Sequence, residues 1–335
     1  MTQQDQTGPN AVGHRNPVTA VITALSDMVS EKGQLPPLRD DERLDGKTAM
    51  VTGANTGLGR SIAIQLAQRG AYVYLICRSG HQDAVEDIKQ ASGNHRVSLL
   101  EVDLSDLDSV NALADQLRDL DNPIDIAVFN AGLMPAQSRN GPQGFELMFT
   151  VHFLASRLLV HRMLADGVLV PQSNPGTQPR LIFVSSESHR SADPIDFDAF
   201  GTPASYGMKD GVAEYGRSKL HLCTYATELA RQLNPDGETQ IAVHSLCPGP
   251  VASDLAREAP GWAKPILGPV MSLLFRAPDK AAEPVLLLAA SKDMAGRNGV
   301  YLHMMREKQV SELAADPENG KMLWEKSEAL IAPYL

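Results

Sequence analysis

Tyr215-Gly216-Arg217-Ser218-Lys219 places a phenol and an ammonium four residues apart, so on a helix the two side chains are neighbours on one face. A phenol with a pKa of about 10 is a poor proton donor or acceptor at neutral pH. A nearby ammonium favours the phenolate and lowers that pKa, which suits the tyrosine to proton exchange with an alcohol or carbonyl oxygen. Such a pair alone is usually a surface coincidence. Here it follows an apolar run that closes on Phe183-Val184-Ser185-Ser186, so a hydroxyl stands at a strand end ahead of it.

A second constellation lies near the start of the chain. Thr48-Ala49-Met50-Val51-Thr52 reads as a buried strand, and Gly53-Ala54-Asn55-Thr56-Gly57-Leu58-Gly59 follows with three glycines. After Gly59 the pattern turns amphipathic, with Ile62, Ile64, Leu66 and Ala67 among polar residues. Strand, glycine turn and helix seat a dinucleotide pyrophosphate: glycine admits the tight turn, and the first helical turn offers unpaired N–H groups. The next strand ends in Cys77-Arg78-Ser79. An acid there would select an unphosphorylated ribose, whereas Arg78 suits a 2′-phosphate and Ser79 can add a hydroxyl donor. The cofactor expected is therefore NADP(H). Further strand ends supply Asp103 and Leu104 for the adenine, Asn130-Ala131-Gly132 against the nucleotide, and Pro248-Gly249 with Val251 and Ser253 as a rigid seat for the nicotinamide.

The elements needed to position these groups follow from periodicity. Apolar strand-like runs at 48–52, 71–77, 96–102, 125–130, 180–185, 240–246 and near 299–303 alternate with helical patterns near 58–69, 81–91, 106–119, 144–165, 215–233, 279–291 and 319–331. The fold class is α/β: a single Rossmann-type doubly wound parallel sheet of about seven strands flanked by helices. It spans 44–335, behind an N-terminal extension, 1–43. Within that extension Val18, Val21, Ile22, Leu25, Met28 and Val29 mark a short amphipathic helix over 18–30 that faces the core, a second subunit or a membrane surface. Residues 33–46, with a charged run at 39–43, read as a linker.

The chain has 335 residues, a net charge of −10 and no basic block, which argues against nucleic acid as a partner. No apolar run approaches the roughly 18 residues of a membrane span, and the first residues lack a secretory signal. Cys77, Cys223 and Cys247 show neither disulfide nor metal-ligand spacing, so no metal is expected and Cys77 and Cys247 read as core filler. A reducing, cytoplasmic location and a possible homodimer are the expectations.

These motifs, in this order, resemble the short-chain dehydrogenase/reductase family over about residues 44–332. The resemblance implies that Ser186 orients the substrate oxygen, Tyr215 is the acid–base group and Lys219 also holds the nicotinamide ribose. Ile76-Cys77-Arg78, the 29-residue spacing from Ser186 to Tyr215 and the tail with Tyr301 and Trp324 are most similar to the retinol-dehydrogenase-like branch. The family often carries a catalytic asparagine in a water relay behind the lysine; the matching position is His152, read either as a replacement in that relay or as a packed helix residue. Segments 187–212 and 254–276 border the substrate, and the apolar content of the second suggests a lipophilic alcohol or carbonyl, with a core or subunit contact as its other reading. The expected function is NADP(H)-dependent hydride transfer between an alcohol and a carbonyl. The alternative is an NADPH-binding sensor of the same fold with little or no turnover.

Overall fold

Strands β1 (Thr48–Thr52), β4 (Ile126–Phe129), β5 (Arg180–Val184) and β6 (Ala242–Cys247) are buried along their whole length. Strands buried along their whole length require cover on both faces of a sheet. The computed structural model describes residues 33–78, 81–120, 122–203, 205–207, 210–251 and 276–335. The amphipathic segment 18–30, Ser79, Ser253 and most of 254–276 lie outside the described residues.

With β2 (Tyr72–Cys77), β3 (Val97–Glu101), β7 (Tyr301–His303) and β8 (Arg306–Lys308), these strands form one sheet of order β3-β2-β1-β4-β5-β6-β7-β8. All pairings are parallel except β7 with β8. The doubly wound sheet therefore forms as expected, with one strand more than the seven expected. β8 is three residues, Arg-Glu-Lys, without an apolar run, so periodicity does not reveal it. It arises because a tight turn at Met304, with φ +55°, folds the chain back on β7. Its charged side chains blunt the sheet edge.

Helices α1 (Gly57–Gln68), α2 (Gln82–Ser92) and α6 (Pro278–Ala290) cover one face. Helices α3 (Leu107–Arg118), α4 (Leu147–Ala165), α5 (Gly211–Leu233) and α7 (Pro317–Ile331) cover the other. Strand alternation divides β1 between the two cores: Met50 faces the second, Ala49 and Val51 the first. α7 docks on α4 and α5 through Arg157, which is 1% exposed, lies 4.1 Å over the Trp324 ring and pairs with Glu328. The presumed linker is likewise docked: Glu42, 2% exposed, accepts from the Ser291 hydroxyl at 2.9 Å and the Lys292 N–H at 2.8 Å. One carboxylate of an otherwise exposed charged run thus becomes a buried cap because it meets the start of a turn.

α4 has the length and composition of a membrane span, which the run-length criterion above did not reveal, yet 78% of its apolar window is buried inside the protein. It is a core helix that lies beside α3 and α5 on the same face of the sheet. Its start is capped by Glu146, which accepts from the Phe149 N–H at 2.7 Å and from the Tyr206 hydroxyl at 2.6 Å. Tyr206 thereby fastens the 187–212 segment to this helix. Between Thr150 and Leu154 the helix widens into a π turn, closed by the Ala155 N–H on the Thr150 carbonyl. π turns cluster at functional sites, and they offset the helix faces on either side.

Phe153, in that turn, is fully buried among Phe149, Phe200 and Tyr225 at centroid distances of 5.4, 6.1 and 5.7 Å. Phe153→Ala is expected to cost about 3–5 kcal/mol in urea denaturation. Val212→Ala, at a position 59% exposed, should change stability by less than about 0.5 kcal/mol.

Candidate active site

The sheet order reverses between β1 and β4, and a cleft of about 900 Å³ opens at the carboxyl ends of these strands. Thr52 and Asn130 join the two strand ends. The Thr52 hydroxyl oxygen accepts from the Asn130 and Ala131 N–H groups at 2.9 and 3.0 Å, and the Asn130 amide donates to the Thr52 carbonyl at 2.9 Å. Gly53 takes φ +66°. A Cβ on Gly59 would lie 2.2 Å from the Gly53 carbonyl oxygen, so only glycine lets α1 start this close to the turn. The first N–H groups of α1 consequently face the cleft.

Gly53, Asn55, Thr56, Gly57, Leu58 and Gly59 line one stretch of the cleft, with Arg78, Asp103 and Leu104 beside them. Asp103 accepts from the Ser105 hydroxyl and N–H at 2.7 and 2.9 Å. Asn130, Ala131 and Gly132 form the middle. Ser186, Tyr215, Lys219, Pro248, Gly249 and Val251 close the far end. All sequence-derived candidates within the described residues except His152 therefore line one cleft, and His152 lies directly behind Gly132.

The far end of the cleft depends on a close approach that the motif spacing did not reveal. A Cβ on Gly216 would lie 3.0 Å from the Ser188 carbonyl oxygen, so this glycine lets α5 press against the turn after β5. A hydrogen bond joins the Ser186 and Tyr215 side chains there. The Lys219 ammonium donates to the Val184 carbonyl at 3.0 Å and lies 5.6 Å from the Tyr215 ring centroid.

Electrostatics here differ from the expectation of a phenol pulled down by lysine. The surrounding protein raises Tyr215 above the ordinary tyrosine value, although part of its surface faces the cleft, and the Ser186 hydrogen bond only partly opposes this. Burial also lowers Lys219, to about 8. Desolvation is the largest cause for both groups, because both are enclosed by the surrounding protein. Burial pushes the Cys247 thiol, also on the cleft wall, up to about 12. It is an inert thiol that faces the cleft in addition to filling core.

His152 is 1% exposed, and a Cβ on Gly132 would meet its Nε2 at 3.3 Å and the Lys219 Nζ at 3.8 Å. Both ring nitrogens are engaged: Nε2 accepts from the Leu133 N–H at 3.0 Å, and Nδ1 meets the Ser218 hydroxyl at 2.8 Å. Burial first, and Lys219 second, hold its pKa well below the ordinary histidine value. His81, Arg139, Glu187 and His303 also line the cleft without having been singled out. Loops and a short strand bring them in, and no motif marks them.

Fold and cleft together define a nicotinamide-dinucleotide oxidoreductase of the Rossmann type. The short chain dehydrogenase family model matches residues 47–193. Dehydrogenase/reductase SDR family member 13 of Bos taurus is 36% identical over 298 residues, 88% of this chain and 76% of that protein. Retinol dehydrogenase 13 of Homo sapiens is 33% identical over 299 residues, covering 86% of this chain and 85% of its own. The L-sorbose reductase of Gluconobacter frateurii, solved with NADPH and L-sorbose, shares the fold with a TM-score of 0.58 at 21% identity, over 82% of this chain and 98% of that one. The chain belongs to the short-chain dehydrogenase/reductase family, in its retinol-dehydrogenase-like branch, and is an oxidoreductase of the alcohol–carbonyl class.

The depressed pKa of Lys219 has a consequence for stability. The fold disfavours its charged form, so the contribution of neutral Lys219 is full above 10.5 and is lost as pH falls through about 8. At neutral pH this amounts to roughly 3 kcal/mol against the fold, offset in part by the bond to Val184. Lys219→Met should therefore raise stability by about 1–3 kcal/mol at pH 7. The gap between variant and wild type in urea denaturation should narrow as pH rises from 8 to 10.5.

Proposed function

We propose that the protein interconverts a lipophilic alcohol and its carbonyl with NADP(H). The observation that carries this reading is the meeting of Ser186, Tyr215 and Lys219 at one end of a cleft whose other end presents Arg78. The residues present fit a dinucleotide: the turn at Gly53 and Gly59 leaves backbone rather than side chains facing the cleft. The N–H groups at the start of α1 would hold the pyrophosphate, Arg78 a 2′-phosphate, Asn130 to Gly132 and Lys219 the nicotinamide ribose, and Pro248 to Val251 the ring. When bound, the nicotinamide supplies or takes the hydride.

The chain's own residues handle the proton. Tyr215, raised above the ordinary value, carries its proton at neutral pH and can donate it to a carbonyl oxygen as the carbon is reduced. Ser186, hydrogen-bonded to Tyr215, positions that oxygen, and the Lys219 ammonium stabilises the phenolate left behind. In the oxidative direction the same groups run in reverse. A lipophilic substrate is supported by Leu133, Met134, Leu147 and Val151 on the cleft wall and by the relative named a retinol dehydrogenase.

NADPH consumption with a panel of long-chain and cyclic carbonyls tests the reaction. Tyr215→Phe should reduce turnover by roughly 10²–10⁴-fold while NADPH affinity stays close to wild type. Near-normal turnover in that variant would eliminate the mechanism, and NADPH binding without turnover on any carbonyl would favour a sensor.

Arg78→Ala should weaken NADPH binding by one to two orders of magnitude, the equivalent of about 1.5–3 kcal/mol for a charge-assisted contact. NADH affinity should be nearly unchanged. An NADPH/NADH preference unaltered by the substitution in titration calorimetry would remove Arg78 from cofactor selection.

A further inference from the structure

Two buried histidines next to the reacting end make the same pattern of contacts. His152 accepts at Nε2 from a backbone N–H, that of Leu133, at 3.0 Å. The proton of a neutral ring is then on Nδ1, directed at the Ser218 hydroxyl at 2.8 Å, and Ser218 donates onward to the Tyr215 carbonyl at 2.8 Å. His189 accepts at Nε2 from the Ser311 N–H at 3.1 Å, and its Nδ1 donates to the Ser186 carbonyl at 2.6 Å. Both rings are almost fully buried. Each therefore connects a distant backbone amide to the main chain of one of the two residues that would handle the substrate oxygen.

We propose that His152 and His189 are positioning residues, neutral struts that hold the main chains of Tyr215 and Ser186 in register, and that His152 does not relay protons. The proposal rests on the reading of Ser186 and Tyr215 as the reacting groups. The hydrogen-bond path supports a strut over a relay. From His152 it runs through Ser218 and stops on a carbonyl oxygen, which has no proton to pass on. In the other direction it stops on the Leu133 amide. Both ring nitrogens are thereby engaged, and the Lys219 ammonium donates to the Val184 carbonyl instead. The π turn supports the same reading, since the helix departs from its regular course over the five residues centred on His152. The strut spans three elements: the turn after β4, α4 and α5. His189 spans the turn after β5 and the segment leading to Glu312–Ala315.

Ser218→Ala separates the two roles. It removes the outer contact of the strut but leaves the imidazole beside Lys219, where a relay would continue to work. The strut predicts a fall in kcat on the order of tenfold to a hundredfold, because a small displacement of the reacting groups is costly. NADPH affinity should change little, and the pH dependence of kcat should keep its shape. His152→Phe should fall at least as far. His152→Asn, whose amide takes the place of Nδ1, should retain more kcat than the phenylalanine variant. A kcat for Ser218→Ala within about twofold of wild type would overturn the proposal, as would loss of an ionisation from the rate profile in His152→Asn.

A measurement on the wild-type protein covers variants that do not fold. ¹⁵N NMR of the imidazoles should show His152 and His189 as neutral rings protonated at Nδ1 at neutral pH, and a charged ring or a proton on Nε2 would overturn the strut. This readout needs no substrate. If the wild type binds NADPH but turns nothing over, the proposed reaction fails, while the tautomers still decide whether the struts exist.

Discussion

The structure depends on how two strand ends are joined where the sheet changes direction. β1 and β4 lie side by side, yet the chain leaves them toward opposite faces, so a crevice must open between their carboxyl ends. Its floor is made of backbone groups that would be costly to leave unpaired. Thr52 and Asn130 satisfy them with one hydroxyl and one amide. This junction fixes the separation of the two halves of the sheet. It also leaves the amides at the start of α1 free to meet an anion.

The opposite end of the cleft is organised by a different constraint, the enclosure of polar groups between α4, α5 and the turn after β5. Burial raises Tyr215, depresses Lys219 and holds His152 and His189 neutral, the latter at about 4. Such an environment favours uncharged groups connected by directed hydrogen bonds over a set of ion pairs. The close approach at Gly216 and the π turn in α4 bring these groups within reach of one another. Each is a local departure from an ordinary helix surface.

The C-terminal segment has an architectural part in this arrangement. α7 lies on α4 and α5, and Arg157 is held between Trp324 and Glu328. A buried guanidinium is tolerable only when its charge is paired and its flat face is packed. The helices that carry His152, Tyr215 and Lys219 are thus clamped from outside as well as by the sheet. The Tyr206–Glu146 bond adds the 187–212 segment to the same unit.

The sequence by itself determined the parts of this protein that local patterning encodes. Apolar runs on both faces of a strand, glycines where a turn needs them, and a Tyr–Lys spacing that matches a helical turn are visible one segment at a time. So the parallel sheet, the glycine turn and the grouping of Ser186, Tyr215 and Lys219 were legible, and the family with them. Tertiary structure decided the rest, because it depends on residues far apart in sequence meeting in a buried space. β8 exists only because a turn returns it to β7. The shifts of Tyr215 and Lys219 follow from enclosure, which four-residue spacing does not report. The engagement of His152 with Leu133 and Ser218 required α4, α5 and the turn after β4 to be in place together, and no pattern within any one of them records that meeting.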